Sequence, residues 1–155
     1  MQSMASFVSQ NVGAGNEKRA KKSMFTGIGV GLGIGCIVFV FVFFKGDLLT
    51  GLFSPNAKVV QNGFDYLRGF APETIVTAVL FSMIGYFNGH DKTIWVMIQG
   101  VVQTLFVRLP LAYIMSIQPN ASLTMIGLAA PVSTVVGIVL NVSFYLWYNR
   151  GERKE

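Results

Sequence analysis

The sequence has few charged residues, one cysteine and one histidine. Only 12% of its 155 residues are charged, whereas a water-soluble domain averages about a quarter. Cys36 alone excludes an internal disulfide, and with His90 it leaves too few ligands for a structural zinc site. No nucleophile–base pair is visible, so nothing supports an enzyme. Because 52% of the residues are hydrophobic, the composition predicts a protein whose solvent is the lipid bilayer.

The basic residues are explained by membrane topology better than by a nucleic-acid partner. The chain carries 12 basic and 7 acidic residues, a net charge of +5. In a soluble protein this excess would suggest binding to phosphates, but here the basic residues lie between apolar stretches. We therefore expect a lipid partner and no nucleic acid.

Four apolar stretches are long enough to cross a bilayer, which takes about 20 residues of helix. They cover residues 24–44, 69–88, 93–117 and 121–148. The sequence thus predicts an all-α integral membrane protein with a four-span domain over residues 24–148. Residues 55–68, with Ser54 as N-cap and Pro55 first in the helix, form either an amphipathic helix on the outer surface or an outer extension of the second span, bent near Pro72.

The distribution of basic residues predicts the orientation of the spans. One side carries Lys18, Arg19, Lys21, Lys22, Lys92, Arg150, Arg153 and Lys154; the other carries Lys45, Lys58 and Arg68. By the positive-inside rule, segment 1–23 with its basic cluster and tail 149–155 both face the cytoplasm. The expected location is the inner (plasma) membrane, as a multi-pass protein.

Glycines occupy every second position in part of the first stretch: Gly27, Gly29, Gly31, Gly33 and Gly35. Their spacing and their setting in a spanning helix do not fit a nucleotide-binding loop. Small residues let another helix approach closely, so the run predicts helix packing.

Glu73 and Arg108 are ionisable residues inside predicted spans. The two spans are joined by a turn at His90 and Asp91, and each residue lies about 24 Å along its helix from that turn. They should therefore lie at equal depth. Such residues usually face the interior of a helix bundle and have a partner, so the pair is a candidate ion pair or coupling site. The alternative is that both side chains extend outward to the lipid headgroups.

Counting residues from the same turn also predicts a polar track, a row of polar side chains at matching depths between these two spans. Its candidate members are Thr77, Ser82, Gln99 and Gln103, together with Asn141 of the fourth span. On the fourth span Thr134, Gly137 and Asn141 share a helical face. Asn141 is expected to make an interhelical hydrogen bond worth about 1 kcal/mol, with the lining of a substrate cavity as the alternative.

Three stretches resemble one family of transporters. Residues 5–16 (ASFVSQNVGAGN), followed by 18–20 (KRA), resemble the cytoplasmic loop motif of the multidrug and toxic compound extrusion (MATE) family. Residues 87–93 (FNGHDKT) are similar to a turn after a late helix of that family, and residues 108–113 (RLPLAY) to the element that follows it. The resemblance extends over residues 2–148.

The resemblance implies a partial lobe of a twelve-helix transporter. This chain corresponds to about the last four helices of the second lobe. The family exchanges Na⁺ or H⁺ for cationic or amphipathic drugs, and no other cofactor is implied. The missing helices would then be partners, and the fragment alone would be inactive. Thr77 stands near the place where some branches carry a coupling carboxylate, and Glu73 lies one turn outward, so the coupling residue and ion stay open.

Two other functions fit four spans. A complete small exporter acting as an oligomer would need an acidic residue in the first span, and residues 24–44 have none. A membrane scaffold without transport activity would use the glycine-rich helix for oligomerisation.

Overall fold

The computed structural model describes residues 1–152, and no β-strand occurs in that range. Its elements are α1 (Gln2–Gly13), α2 (Glu17–Gly51), α3 (Ala57–Phe70), α4 (Glu73–Gly89), α5 (Thr93–Val101), a π-helix (Val102–Arg108), α6 (Leu109–Ser116), α7 (Leu123–Gly127) and α8 (Ala129–Glu152). Arg153 and Lys154, used in the orientation argument, lie outside the described residues with the end of tail 149–155.

The length and apolarity of the helices support three or four membrane crossings. Within the described residues, Glu17–Gly51, Thr93–Ser116 and Leu123–Arg150 are each long and apolar enough to span. Helices α3 and α4 pass the same test only as a pair, and the pair is bent by 49°. They give a fourth crossing if they form one bent span. The protein is therefore all-helical and suited to a membrane, as the sequence predicts.

The bend between α3 and α4 lies at Ala71 and Pro72, between the two helices. Proline lacks an amide proton, so a helix that reaches it loses a hydrogen bond and bends. A bent pair of this kind fits one broken span or a re-entrant loop, so the outer position of residues 55–68 stays a prediction. The N-cap differs from expectation: Asn56, rather than Ser54, accepts a bond from the amide of Lys58 at 3.0 Å. Ser54 instead accepts from the amide of Asn56, so the helix begins after this turn.

Segment 1–23 contains a helix that packs against the rest of the protein. Residues 2–13 form α1, which packs along α4, with Val8 fully buried there. A turn follows, in which Gly15 adopts a φ of +68°, and α2 then begins at Glu17. The structure thus places α1 within the helix bundle, and the cytoplasmic location of segment 1–23 stays a prediction.

The first and fourth predicted spans also have different limits. Helix α2 extends beyond both ends of stretch 24–44 and departs from helical geometry at Lys45, where the apolar stretch ends. The fourth stretch is divided into α7 and α8 at Leu128. Helix α7 starts at Ser122, whose hydroxyl accepts a bond from the amide of Met125 at 3.2 Å.

The buried core lies at one end of the bundle. It joins α1, α2 and α4 through Val8, Ala20, Met24, Met83, Tyr86 and Phe87. Elsewhere large apolar side chains are exposed, including Ile37 at 72% and Phe53 at 90%. An apolar surface of this extent is typical of contact with lipid or with further protein.

A buried polar network around Glu73

Glu73 lies at the first position of α4, directly after Pro72. A carboxylate is favourable there because the amino end of a helix carries partial positive charge. Its Oε1 atom accepts hydrogen bonds from Nη2 of Arg108 at 3.0 Å and from the hydroxyl of Thr134 at 2.9 Å. The Glu73 side chain is 12% exposed and that of Arg108 is 37% exposed. The two residues predicted to lie at one depth are therefore in contact.

The π-helix explains how Arg108 reaches this position. In a regular α-helix, residues five apart point in directions that differ by about 140°. In a π-helix, hydrogen bonds join residues five apart, so Gln103 and Arg108 lie on the same face. The π-helix covers Val102–Arg108. One irregular turn thus brings Gln103 to Thr134 of α8 and Arg108 to Glu73 of α4.

A chain of hydrogen bonds continues from Glu73 into the bundle. The hydroxyl of Thr134 accepts a bond from Nε2 of Gln103 at 3.1 Å, and Gln103 in turn accepts from Nε2 of Gln99 at 2.6 Å. All three side chains are buried. Gly137 makes room for them, since a Cβ atom there would lie 2.8 Å from Nε2 of Gln99. The chain joins α4, α8, the π-helix and α5.

A cavity of about 310 Å³ adjoins this network. Its polar lining consists of Glu73, Thr77, Gln99, Gln103, Thr104, Arg108 and Thr134. Oε2 of Glu73, Oε1 of Gln99 and Nε of Arg108 are buried and have no hydrogen-bond partner among the described residues. Buried polar atoms are normally paired, and two of these are acceptors. Two unpaired oxygen atoms thus lie in residues that line the cavity, and that of the Glu73 carboxylate is the one that can take up a proton.

Ser82 does not belong to this network, contrary to the predicted track. Its hydroxyl donates to the carbonyl of Ala78 in its own helix at 2.9 Å, and its side chain faces Gly27 of α2. Thr77 and Ser82 are five residues apart on a regular helix, so they point in different directions. Counting residues from the turn gives the depth of a residue in the membrane, but it does not give the side of the helix on which its side chain lies.

Asn141 contacts α5 through a separate hydrogen bond. Its Oδ1 atom accepts from Nε1 of Trp95 at 3.0 Å, and the Trp95 ring stacks on Phe144 with centroids 4.2 Å apart. Nδ2 of Asn141 is buried without a partner among the described residues. The polar residues thus lie mainly between α8 and the rod formed by α5 and the π-helix.

The glycines of α2 divide into two groups. A Cβ atom at Gly35 would lie 2.5 Å from the carbonyl oxygen of Thr74, and one at Gly31 would lie 3.0 Å from Cβ of Ala78. Gly27 faces Met4 and Ser82. Gly29 and Gly33 have nothing within 4 Å among the described residues, so their part in helix packing stays a prediction. Residues two apart on an α-helix point in nearly opposite directions.

A second polar cluster was not expected from the sequence. The hydroxyl of Tyr86 donates to Oε1 of Glu17 at 2.7 Å, and Nε2 of His90 lies 2.9 Å from Oε2. His90 had been interpreted only as a turn residue. Its position one turn after Tyr86 was visible in the sequence, but the contact with Glu17 depends on how α2 packs against α4.

Glu17 precedes the apolar stretch that begins at Met24, and its pKa reflects these neighbours. Burial raises the pKa of this carboxyl group. Hydrogen bonds with Tyr86 and His90 and the nearby charges of His90 and Lys21 lower it by more, so the pKa ends below its ordinary value. The folded protein thus favours the ionised carboxylate.

Comparison with known proteins identifies the family. The family model described as MatE matches residues 1–114. The chain belongs to the MatE family. Members of this family are membrane transporters for multidrug efflux rather than enzymes, which agrees with the helices that can span a bilayer. No curated protein and no solved structure matched the chain.

Proposed function

We propose that this MatE chain forms part of a cation-coupled antiporter, in which Glu73 binds the coupling ion. The exported compounds would be cationic or amphipathic, and either Na⁺ or H⁺ would drive export. The observation that carries the proposal is the second oxygen of Glu73, which is buried beside a cavity and has no partner among the described residues. An ionisable group in such a position is typical of an ion or proton pathway.

The neighbours of Glu73 suit this role. Arg108 and Thr134 both bond to Oε1, which leaves Oε2 available for a proton or a sodium ion. Binding of an ion at Oε2 would weaken the attraction between Glu73 and Arg108. It would thereby change the contact between α4 and the rod formed by α5 and the π-helix. Alternating access requires such a link between ion binding and the arrangement of helices.

Four spans supply only part of the surface around a central site. We therefore propose that the chain acts with further helices of the same transporter in the inner (plasma) membrane, and that it does not transport alone. A membrane scaffold stays the alternative: Gly27, Gly31 and Gly35 face residues of α1 and α4, whereas Gly29 and Gly33 leave an open face on α2.

Ion binding can be tested on the purified chain in detergent. The midpoint of thermal unfolding is measured in NaCl and in choline chloride at equal ionic strength, and across pH 5–9. We expect a response to Na⁺ or to pH that Glu73→Gln abolishes. The control Asp47→Asn removes an exposed carboxylate from α2 and should leave the response unchanged. Equal responses in Glu73→Gln and the unmodified chain would refute the proposal.

Transport is tested in a drug-sensitive bacterium that lacks its own exporters. The chain alone should give no efflux of ethidium, whereas the small-exporter alternative requires proton-linked efflux by the chain itself. Efflux should appear when the chain is expressed together with the remaining helices of a complete transporter.

A further inference from the structure

A cleft between α1 and α2 differs from the Glu73 cavity in charge. Its volume is about 850 Å³, and Phe81 of α4 also lines it. The residues that α2 contributes fall on one face of the helix, at spacings of three and four. They are Arg19, Lys22, Ser23, Thr26, Gly27 and Val30.

The polarity of this face changes along α2. Arg19 and Lys22 come first, the hydroxyl residues Ser23 and Thr26 follow, and Val30 lies beyond them. From Arg19 to Val30 the helix rises by about 17 Å. A phospholipid has the same order of chemistry over a similar length: a charged phosphate, ester groups and an acyl chain.

Within residues 1–150, no carboxylate balances the charge at the basic end of the cleft. No carboxylate of the described residues pairs with Arg19 or Lys22, and the nearby Glu17 is bonded to Tyr86 and His90. The guanidinium of Arg19 lies 5.8 Å from the centroid of the Phe7 ring, which holds it at the wall. An anionic group is therefore the complement of this end.

We propose that the cleft binds an anionic phospholipid of the cytoplasmic leaflet. Its phosphate contacts Arg19 and Lys22, and one acyl chain lies against Val30 and Phe81. Basic pockets between spanning helices at the cytoplasmic side are suited to such headgroups. The proposal rests on the predicted orientation of the basic cluster and is independent of ion coupling at Glu73.

The test measures lipid retention by the purified 155-residue chain with native mass spectrometry. The probes are phosphatidylglycerol and phosphatidylcholine with identical acyl chains, so that only the headgroup charge differs. Arg19→Gln with Lys22→Gln should weaken binding of phosphatidylglycerol by about tenfold to thirtyfold. The matched control, Lys18→Gln with Arg150→Gln, removes the same charge from two exposed residues outside the cleft and should have little effect.

A second variant tests the apolar end. Val30 is 60% exposed, so Val30→Trp can fill the cleft without entering the protein core. It should reduce binding of both lipids while the basic pair is intact. Helical content and elution volume must match the unmodified chain in all variants.

Three results would overturn the proposal. The first is equal loss of phosphatidylglycerol in the cleft variant and the control, which would indicate attraction by overall charge. The second is full binding by Val30→Trp, which would place the acyl chain elsewhere. The third is displacement of the lipid by millimolar inorganic phosphate, which would identify a free-anion site.

Discussion

Arg108 reaches Glu73 from a position 35 residues later in the chain, and its Nη2 atom lies 3.0 Å from Oε1 of the carboxylate. The contact uses one oxygen of Glu73, and Thr134 shares that oxygen. The two partners differ in exposure, since Glu73 is 12% exposed and Arg108 is 37% exposed. This difference determines which partner is more costly to remove.

Arg108→Gln should destabilise the protein more than Glu73→Gln. Loss of Arg108 leaves a mostly buried carboxylate with only Thr134 as a partner, whereas loss of Glu73 leaves a cation that reaches the surface. We expect about 1–3 kcal/mol for Arg108→Gln, below the limit for a fully buried pair. The measurement is the free energy of unfolding in mixed micelles with sodium dodecyl sulfate.

The exchange Glu73→Arg with Arg108→Glu checks that the two side chains interact. The double variant should recover part of the stability that each single reversal loses. If it recovers none, the ion pair is not formed in the protein.

Thr134→Val should weaken the network on both sides of the hydroxyl group. Valine has a similar shape, but it removes the donor to Glu73 and the acceptor for Gln103. A buried donor without a partner costs about 1–3 kcal/mol. Thr134→Ser should keep most of the stability, and Thr93→Val, at an exposed position outside the cavity, serves as the control. An unfolding free energy unchanged in Thr134→Val would contradict the network.

Gly35→Ala and Gly33→Ala should have opposite effects although they are neighbours on one helix. At Gly35 the new methyl group would meet the backbone of Thr74 and Ile75, so α2 and α4 must separate, at about 1–3 kcal/mol. At Gly33 the methyl group meets nothing, and the better helix propensity of alanine should stabilise by up to about 1 kcal/mol. Thermal unfolding of both variants in one detergent checks this. Equal effects would mean that the helices do not pack along Gly35.

The sequence could predict the helices and the depth of the Glu73–Arg108 pair because both follow from counting residues along a regular helix. It could not predict the direction of side chains beyond the irregular turn. A straight helix would point Arg108 away from Gln103, and the π-helix that corrects this has no recognised sequence signal here. Ser82 was misplaced in the track for a different reason: it lies on a regular helix, and equal depth does not give the direction of a side chain.

Contacts between distant helices were also hidden from the sequence. Glu17 and His90 are 73 residues apart, and neither residue type nor spacing connects them. The place of α1 against α4 depends likewise on tertiary packing: Val8 fits where Gly89 has no side chain.

Acidification should weaken the contact between the start of α2 and the end of α4. The folded-state pKa of Glu17 lies below its ordinary value of 4.5, so the ionised carboxylate contributes stability above that pH. This contribution is lost as the pH falls through the lower, folded-state pKa. The midpoint of thermal unfolding should therefore fall between pH 6 and pH 3. In Glu17→Gln the midpoint at pH 6 should be lower, and its decline towards pH 3 should be shallower. Asp47→Asn changes an exposed carboxylate of the same helix and should leave the slope unchanged. A slope in Glu17→Gln as steep as in the unmodified chain would show that other carboxylates govern the acid sensitivity.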